Sequence, residues 1–168
     1  MKVLITAASK HGSTAEIAWA IRGHLIDEGL QAVVVHPDEI TELAGYDAVV
    51  VGSAVYAGRW LKPARTLVER LRTQLGDVPV WLFSSGPVGD PPVPDEDDAV
   101  DVADIAEATG AREHRLFPGR IDMEALAFAE RALVRALRVP AGDFRDWPAI
   151  ASWSRRIAAD LRSADLTA

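Results

Sequence analysis

Short β-branched runs alternate with longer stretches of helical periodicity along this chain, and that alternation is the signature of βαβ units packed on a parallel sheet. The first run, KVLITA from Lys2 to Ala7, passes through a polar loop into a helical pattern from Thr14 to Glu28. Ile17, Ala18, Ile21 and Leu25 share one face of that helix, and Gly29 supplies its stop. QAVVVH, Gln31 to His36, is a second strand, and PDEITEL after it has room only for a turn or one helical turn. AVVVG, Ala48 to Gly52, is apolar on both alternations, so it is expected to be central and covered on both faces. A helix opening at Lys62 and Pro63 carries Ala64, Leu67, Val68, Leu71 and Leu75 as its buried stripe. VPVWLFS (Val78 to Ser84) and Glu113 to Pro118 complete five strands, with a short helix from Val100 to Thr109 between them.

Two helices are expected to close the chain. Met123 to Arg138 would bury Met123, Leu126, Leu133 and Leu137; Asp146 to Arg162 would bury Trp147, Ile150, Ile157 and Leu161. Trp153 falls about 120° from Trp147 on a helix, so Trp147 is assigned to helix–sheet packing and Trp153 to a partly exposed position. Gly86 to Asp98, rich in proline and acid, reads as an exposed and partly mobile loop. The expectation is one α/β domain over residues 1–168, a doubly wound parallel five-stranded sheet in the order 2-1-3-4-5. Such sheets bind ligands beyond the carboxyl ends of their strands where the order reverses, here between strands one and three.

Composition narrows the chemistry. A net charge of −7 opposes a polyanionic partner, so nucleic acid is not expected. The chain has no cysteine, which removes disulfides, thiol nucleophiles, iron–sulfur clusters and cysteine zinc sites, and leaves redox chemistry to an organic cofactor. His11, His24, His36 and His114 lack metal-ligand spacing, and all but His11 read as surface or hydrogen-bonded residues. No apolar run approaches the ~18 residues of a membrane span and no signal-peptide pattern follows Met1, so a cytoplasmic protein is expected.

The loop Ser9-Lys10-His11-Gly12-Ser13-Thr14 holds three hydroxyls, one glycine and no carboxylate ahead of a helix. A phosphate placed there would meet loop amides, hydroxyls and the positive end of the helix dipole, with Gly12 letting the backbone approach its oxygens. The other reading, that Ser13 or Thr14 simply caps the helix, fits the loop alone equally well. Neither a GxGxxG fingerprint nor a GK[ST] loop is present.

LITAASKHGSTAEIA resembles the flavodoxin signature, a strand running into a T/S-x-T-G-x-T phosphate loop and an amphipathic helix. Ser9, Gly12 and Thr14 match its first hydroxyl, glycine and final threonine. His11 stands where that family usually has a second hydroxyl, and a ring nitrogen would take over the hydrogen bond. VVVGSAVYAGRW and GDFRDWPAIASWSRRIA are similar to segments of the flavodoxin-like branch that includes menaquinone-dependent protoporphyrinogen dehydrogenase, with the aromatic at Tyr56 displaced by one position. The resemblance implies a flavodoxin-like fold and FMN as cofactor, its phosphate at Ser9, Lys10, His11, Gly12, Ser13 and Thr14. It also implies one ring wall from Ser53, Ala54, Val55, Tyr56, Ala57 and Gly58, and another from Ser84, Ser85, Gly86 and Pro87. Tyr56 or Trp60 would stack on the ring; ordinary packing at the sheet edge is the alternative for both. Gly86 and Gly89 also read as turn glycines.

Three functions follow: a flavoenzyme oxidising a small or tetrapyrrole substrate and reducing a quinone, a flavodoxin-type electron carrier, or an interaction domain without flavin. No Ser-His-Asp or paired-carboxylate pattern is evident, so the flavin itself would supply the chemistry. Lys10, His11 and Arg59 against Asp90 give the predicted ring loops a positive balance, which points to a two-electron dehydrogenase. The acidic run Asp95 to Asp104 and the stripe Arg131, Arg135, Arg138 read as solvated faces; a cationic partner for the first, and an acidic propionate or peripheral contact with anionic lipid for the second, are the alternatives.

Overall fold

The structure, a computed structural model, describes residues 1–56, 58–86, 102–136, 138 and 140–165. Ala57, Pro87, Gly89, Asp90, the proline-rich and acidic stretch over 87–101, Leu137 and the side chain of Leu133 lie outside that description.

In chain order the strands of the main sheet are β1 (Lys2–Ala8), β2 (Gln31–Val34), β3 (Ala48–Tyr56), β4 (Arg59–Trp60), β5 (Val80–Ser85) and β6 (Glu113–Phe117). They lie in the order β2-β1-β3-β5-β6, with every pair along that path parallel. This is the expected 2-1-3-4-5 order. The addition is β4, which pairs antiparallel with the end of β3 after Gly58, at φ 73°, turns the chain back. β3 is central and runs past the expected Gly52 to Tyr56, carrying its carboxyl end beyond the sheet body.

Alternation along the strands feeds two separate cores. Val3, Ile5, Val50, Trp81 and Phe83 face α1 (Ser13–Asp27), whose Ile17, Ala18, Ile21 and Leu25 are buried as the periodicity requires. Leu4, Val49, Val51 and Leu82 face the opposite layer, where α2 (Lys62–Arg70) and α3 (Arg72–Gly76) replace the single helix expected there. Leu71, with φ −108°, breaks the run between them, yet Leu67, Val68, Leu71 and Leu75 remain buried. PDEITEL holds one 3-10 turn, Pro37–Glu39, as its length allowed. α4 (Ala103–Thr109) precedes β6.

The last third departs furthest from expectation. Between β6 and the final helix the chain forms β7 (Arg120–Ile121), α5 (Phe128–Ala136) and β8 (Gly142–Asp143), with β7 and β8 paired antiparallel. Met123 and Leu126 precede α5 and are only partly buried, because this excursion packs over the end of the sheet and not onto its face. α6 (Trp147–Asp165) then returns to the first core through Ile150, Trp153, Ile157 and Leu161. The two tryptophans exchange their expected places. Trp153 is fully buried, edge-on to Phe117 at 5.5 Å and Phe83 at 6.2 Å, because Glu113 at the sheet edge accepts its indole N–H at 2.9 Å. Trp147 is 38% exposed and has the Arg145 guanidinium 4.5 Å from its ring centre.

Arg145 fastens the excursion to α1. Its guanidinium, 3% exposed, reaches Asp143 and Glu16 at 2.6 Å each and the Ser13 carbonyl at 3.4 Å. The Arg145 hydrogen bonds pull the Asp143 carboxyl down to about 2 and also lower Glu16. Among the described residues no helix is long and apolar enough to cross a membrane.

Two outcomes follow from this packing. A Cβ on Gly52 would sit 2.1 Å from the Phe83 ring, which leans over the cross-strand glycine, so Gly52→Ala should destabilise the protein by about 1–3 kcal/mol in urea unfolding through overpacking. Asp143 has a folded pKa of about 2, below the ~3.9 of an unfolded aspartate. Its contribution is therefore complete above about pH 4 and lost as pH falls towards 2. Asp143→Asn should cost about 1 kcal/mol or less at pH 7, allowing for the half-exposed carboxylate, and the gap between the two urea curves should close across that acidic window.

Candidate functional site

Reversal of strand order beside β1 and β3 leaves a crevice beyond their carboxyl ends, and a cleft of about 440 Å³ occupies it. That volume lies within the roughly 300–1,000 Å³ of small-molecule sites. Its lining brings together most of the loop residues singled out in the sequence.

The first wall is the β1–α1 loop, which presents Ser9, Lys10, His11, Ser13 and Thr14. Gly12 ends the loop at φ 84°, ψ −21° as the N-cap of α1, with no side chain capping the helix. A Cβ on Gly12 would meet no other residue within 4 Å, so within the protein itself the glycine is required for its left-handed backbone. Ser13 does not act as the helix cap: its Oγ accepts the Arg120 N–H at 3.2 Å, tying β7 to the loop. Thr14 is buried within the first turn.

The second wall comes from the ends of β3 and β5 as Ala54, Val55, Tyr56, Ser85 and Gly86. Three residues expected beside them, Ser53, Ser84 and Gly58, do not line the cleft. Ser53 and Ser84 are fully buried, and their hydroxyls are committed elsewhere. Ser53 accepts the Leu61 N–H at 2.9 Å and donates to the Ala54 carbonyl; Ser84 accepts the Trp60 indole N–H at 2.7 Å and lies 2.8 Å from His114 Nε2. Gly58 belongs to the β3–β4 turn, and Gly12 contributes backbone geometry behind the lining. Ala57 and Pro87 lie outside the described residues. Of the two candidate aromatics, Trp60 is buried and bonded to Ser84, whereas Tyr56 is 41% exposed and faces the cleft.

A third wall was not anticipated. Gly119 to Asp122, Leu126, Glu130 and Val134 close the cleft from the β7–α5 excursion. Glu130 reaches the first wall: its carboxylate is hydrogen-bonded to Lys10 Nζ, lies 3.3 Å from His11 Nε2 and accepts the Ala127 N–H at 2.9 Å. The Lys10 hydrogen bond, with the Ala127 N–H, pulls the Glu130 carboxyl down to about 2, and Glu130 raises Lys10 in turn. Lys10 Nζ also sits 5.4 Å from the Tyr56 ring centre, and burial followed by the Glu130 charge pushes the Tyr56 phenol up. Among the described residues the expected positive balance is therefore absent. Lys10 is paired with Glu130, Arg120 with Glu16 at 3.2 Å, and Arg59 is not part of the lining. Nothing in the sequence near Lys10 signals Glu130, which is 120 residues away.

Chemically, the donor set at the first wall fits a phosphate ester. An uncapped helix N-terminus, Ser9 and two cation-capable side chains converge there, and both side chains already contact one anion, the Glu130 carboxylate. Tyr56, Val55 and Ala54 offer a flat, partly apolar surface beside it.

The chain is 33% identical over 86 residues to a protoporphyrinogen IX dehydrogenase [quinone] of Escherichia coli K12, an alignment covering 50% of this chain and 48% of that protein. The chain thus spans about half the length of the curated relatives it matches. An archaeal flavodoxin superposes with TM-score 0.65 at 16% identity over 96% of this chain and 99% of that one. Rubredoxin oxygen:oxidoreductase of Desulfovibrio gigas superposes with TM-score 0.63 at 16% identity over 99% of this chain and 37% of that one. These superpositions establish the fold. A flavodoxin-domain profile matches residues 4–147, and the chain belongs to the flavodoxin domain family.

Proposed function

We propose that the cleft binds FMN and that the protein is a flavin-dependent oxidoreductase whose electron acceptor is a small molecule of the quinone class. The observation that carries this reading is the third wall. Ile121, Leu126 and Val134 put apolar side chains across from Tyr56, so the site is a covered cleft suited to a small apolar reactant. The partial match to protoporphyrinogen IX dehydrogenase [quinone] supports the same acceptor class and makes protoporphyrinogen the first donor to test.

Bound FMN would supply the electron-transfer chemistry. The chain's own residues hold and enclose it. Ser9, Ser13 and the α1 N-terminus would bind the phosphate together with Lys10 and His11; Ala54, Val55, Tyr56, Ser85 and Gly86 would wall the ring; Ile121, Leu126 and Val134 would exclude water from it.

Equilibrium titration of the apoprotein, read by flavin fluorescence, tests the reading. FMN should bind at least about tenfold more tightly than riboflavin, because the charged phosphate adds hydrogen bonds and helix-dipole attraction. The reduced holoprotein should then pass electrons to a menaquinone analogue. Equal affinities would remove the phosphate from the first wall; tight FMN binding without quinone reduction would favour a flavodoxin-type carrier.

Tyr56→Ala should weaken FMN by about 1 kcal/mol, the scale of an aromatic pair, and raise the fluorescence of the bound flavin. An unchanged dissociation constant and emission would leave Tyr56 as packing at the mouth of the cleft.

A further inference from the structure

The phosphate end of the cleft contains an anion that the chain itself supplies. Glu130 stands three residues beyond Ala127, at the start of α5, and its carboxylate accepts the Ala127 N–H as a capping-box glutamate does. The same carboxylate reaches across the cleft to Lys10 and His11, the two cation-capable residues of the β1–α1 loop. Its side chain is 19% exposed and that of Lys10 51%, so the pair lies at the rim of the cleft, where water can replace either partner.

We infer that Glu130 is a resident counter-ion of the phosphate subsite, and that a phosphorylated ligand binds there by exchanging places with the Glu130 carboxylate on Lys10 and His11. This rests on the reading of the first wall as a phosphate site. A dianionic phosphate and a carboxylate require the same donors, and placing both against Lys10 and His11 sets like charges side by side. Exchange avoids that repulsion. Release does not strand Glu130, since it keeps the Ala127 N–H and gains water. Lys10 moves from one anion to another without being left unpaired. Because the same residue links α5 to the loop, occupancy of the subsite and attachment of the third wall are coupled: the ligand's phosphate loosens the Glu130 latch as it enters.

Glu130→Gln tests the exchange, because glutamine retains an acceptor for the Ala127 N–H while losing the charge. FMN should bind the variant about fivefold more tightly than the unaltered protein, the scale of a partly exposed ion pair, whereas riboflavin should change by less than about twofold. Glu69→Gln, which removes the same charge from an exposed position on α2, should leave FMN affinity unchanged. In a Lys10→Gln background the gain from Glu130→Gln should shrink, since the cation in contention is gone. An FMN affinity that is unaltered or weaker in Glu130→Gln would overturn the proposal, as would a gain of full size in the Lys10→Gln background. Inorganic phosphate gives an independent readout through the melting temperature. It should stabilise Glu130→Gln more than the unaltered protein, and equal or absent shifts would overturn the exchange. If neither protein binds FMN but phosphate still distinguishes them, the counter-ion role stands and the FMN reading falls.

Discussion

β1 and β3 lie side by side over the register Val3 with Ala48 to Ala8 with Ser53, but their continuations leave the sheet on opposite faces. β1 feeds α1 over the core of Ile5, Val50 and Phe83, whereas β3, after the short β4 return, feeds α2 over the core of Leu4, Val49 and Leu82. A right-handed crossover on each side therefore carries the chain away from the line between the two strands and leaves a crevice beyond their ends, which the β7–α5 excursion then walls on one side. The cleft is a consequence of this connectivity. Its position depends on β1–β3 register, because a slip of one residue would turn the alternating side chains onto the wrong faces and present different residues to the loops.

The three walls are held by different forces. Buried, short-range bonds fix the β3 and β5 ends: Ser53 closes the β3–β4 connection, and Trp60, Ser84 and His114 form a chain of contacts through the sheet. Removing one partner from such a group would leave a buried polar atom unpaired, so these walls are costly to distort. Electrostatic contacts hold the third wall, through Arg145 to Asp143 and Glu16, Arg120 to Glu16, and Glu130 to Lys10 and His11. Apart from Arg145 these side chains are partly hydrated, and α5 leaves Phe128 almost wholly exposed. Opening at that wall breaks few apolar contacts, which makes it the side of the cleft with the lower cost of displacement.

Much of this was legible before the structure. Strand alternation located the five strands because side-chain period and β-branching report directly on burial, and the Ser9 to Thr14 loop, which by itself fits a capped helix equally well, falls on the cleft because it joins β1 to α1 beside the order reversal. The errors share a cause. Trp147 and Trp153 were assigned from helical angle alone, and the deciding contact, Glu113 with the Trp153 indole, lies across 40 residues. Ser53 and Ser84 look like cleft hydroxyls by position in the chain, yet both are fully buried, and their hydroxyls are taken up by Leu61 and Ala54 and by Trp60 and His114, partners that local sequence does not reveal. The helix expected from Met123 starts only at Phe128, since Asp122 to Ala127 turn over the sheet end and leave Glu130 to satisfy the first amide.

Charge shows most clearly why local sequence is a poor guide to a cleft's electrostatics. The segments nearest the site in the chain contribute Lys10, His11 and Arg59, which suggest a field that would favour an anionic ligand over its neutral form. In the fold Arg59 lies off the lining, Glu130 arrives from 120 residues away to neutralise Lys10, and Glu16 in the first turn of α1 pairs with Arg120. One carboxylate cancels one cation in the charge balance, so a single unforeseen acid such as Glu130 is enough to reverse a conclusion drawn from the loops. What distinguishes this cleft from an open flavin edge is then not its net charge. It is the apolar set Ile121, Leu126 and Val134, carried by a segment that the sheet does not require and that is fastened to α1 through Arg145. An added wall of that kind restricts approach by a protein surface while leaving room for a small apolar molecule, and that steric distinction does not depend on the charges.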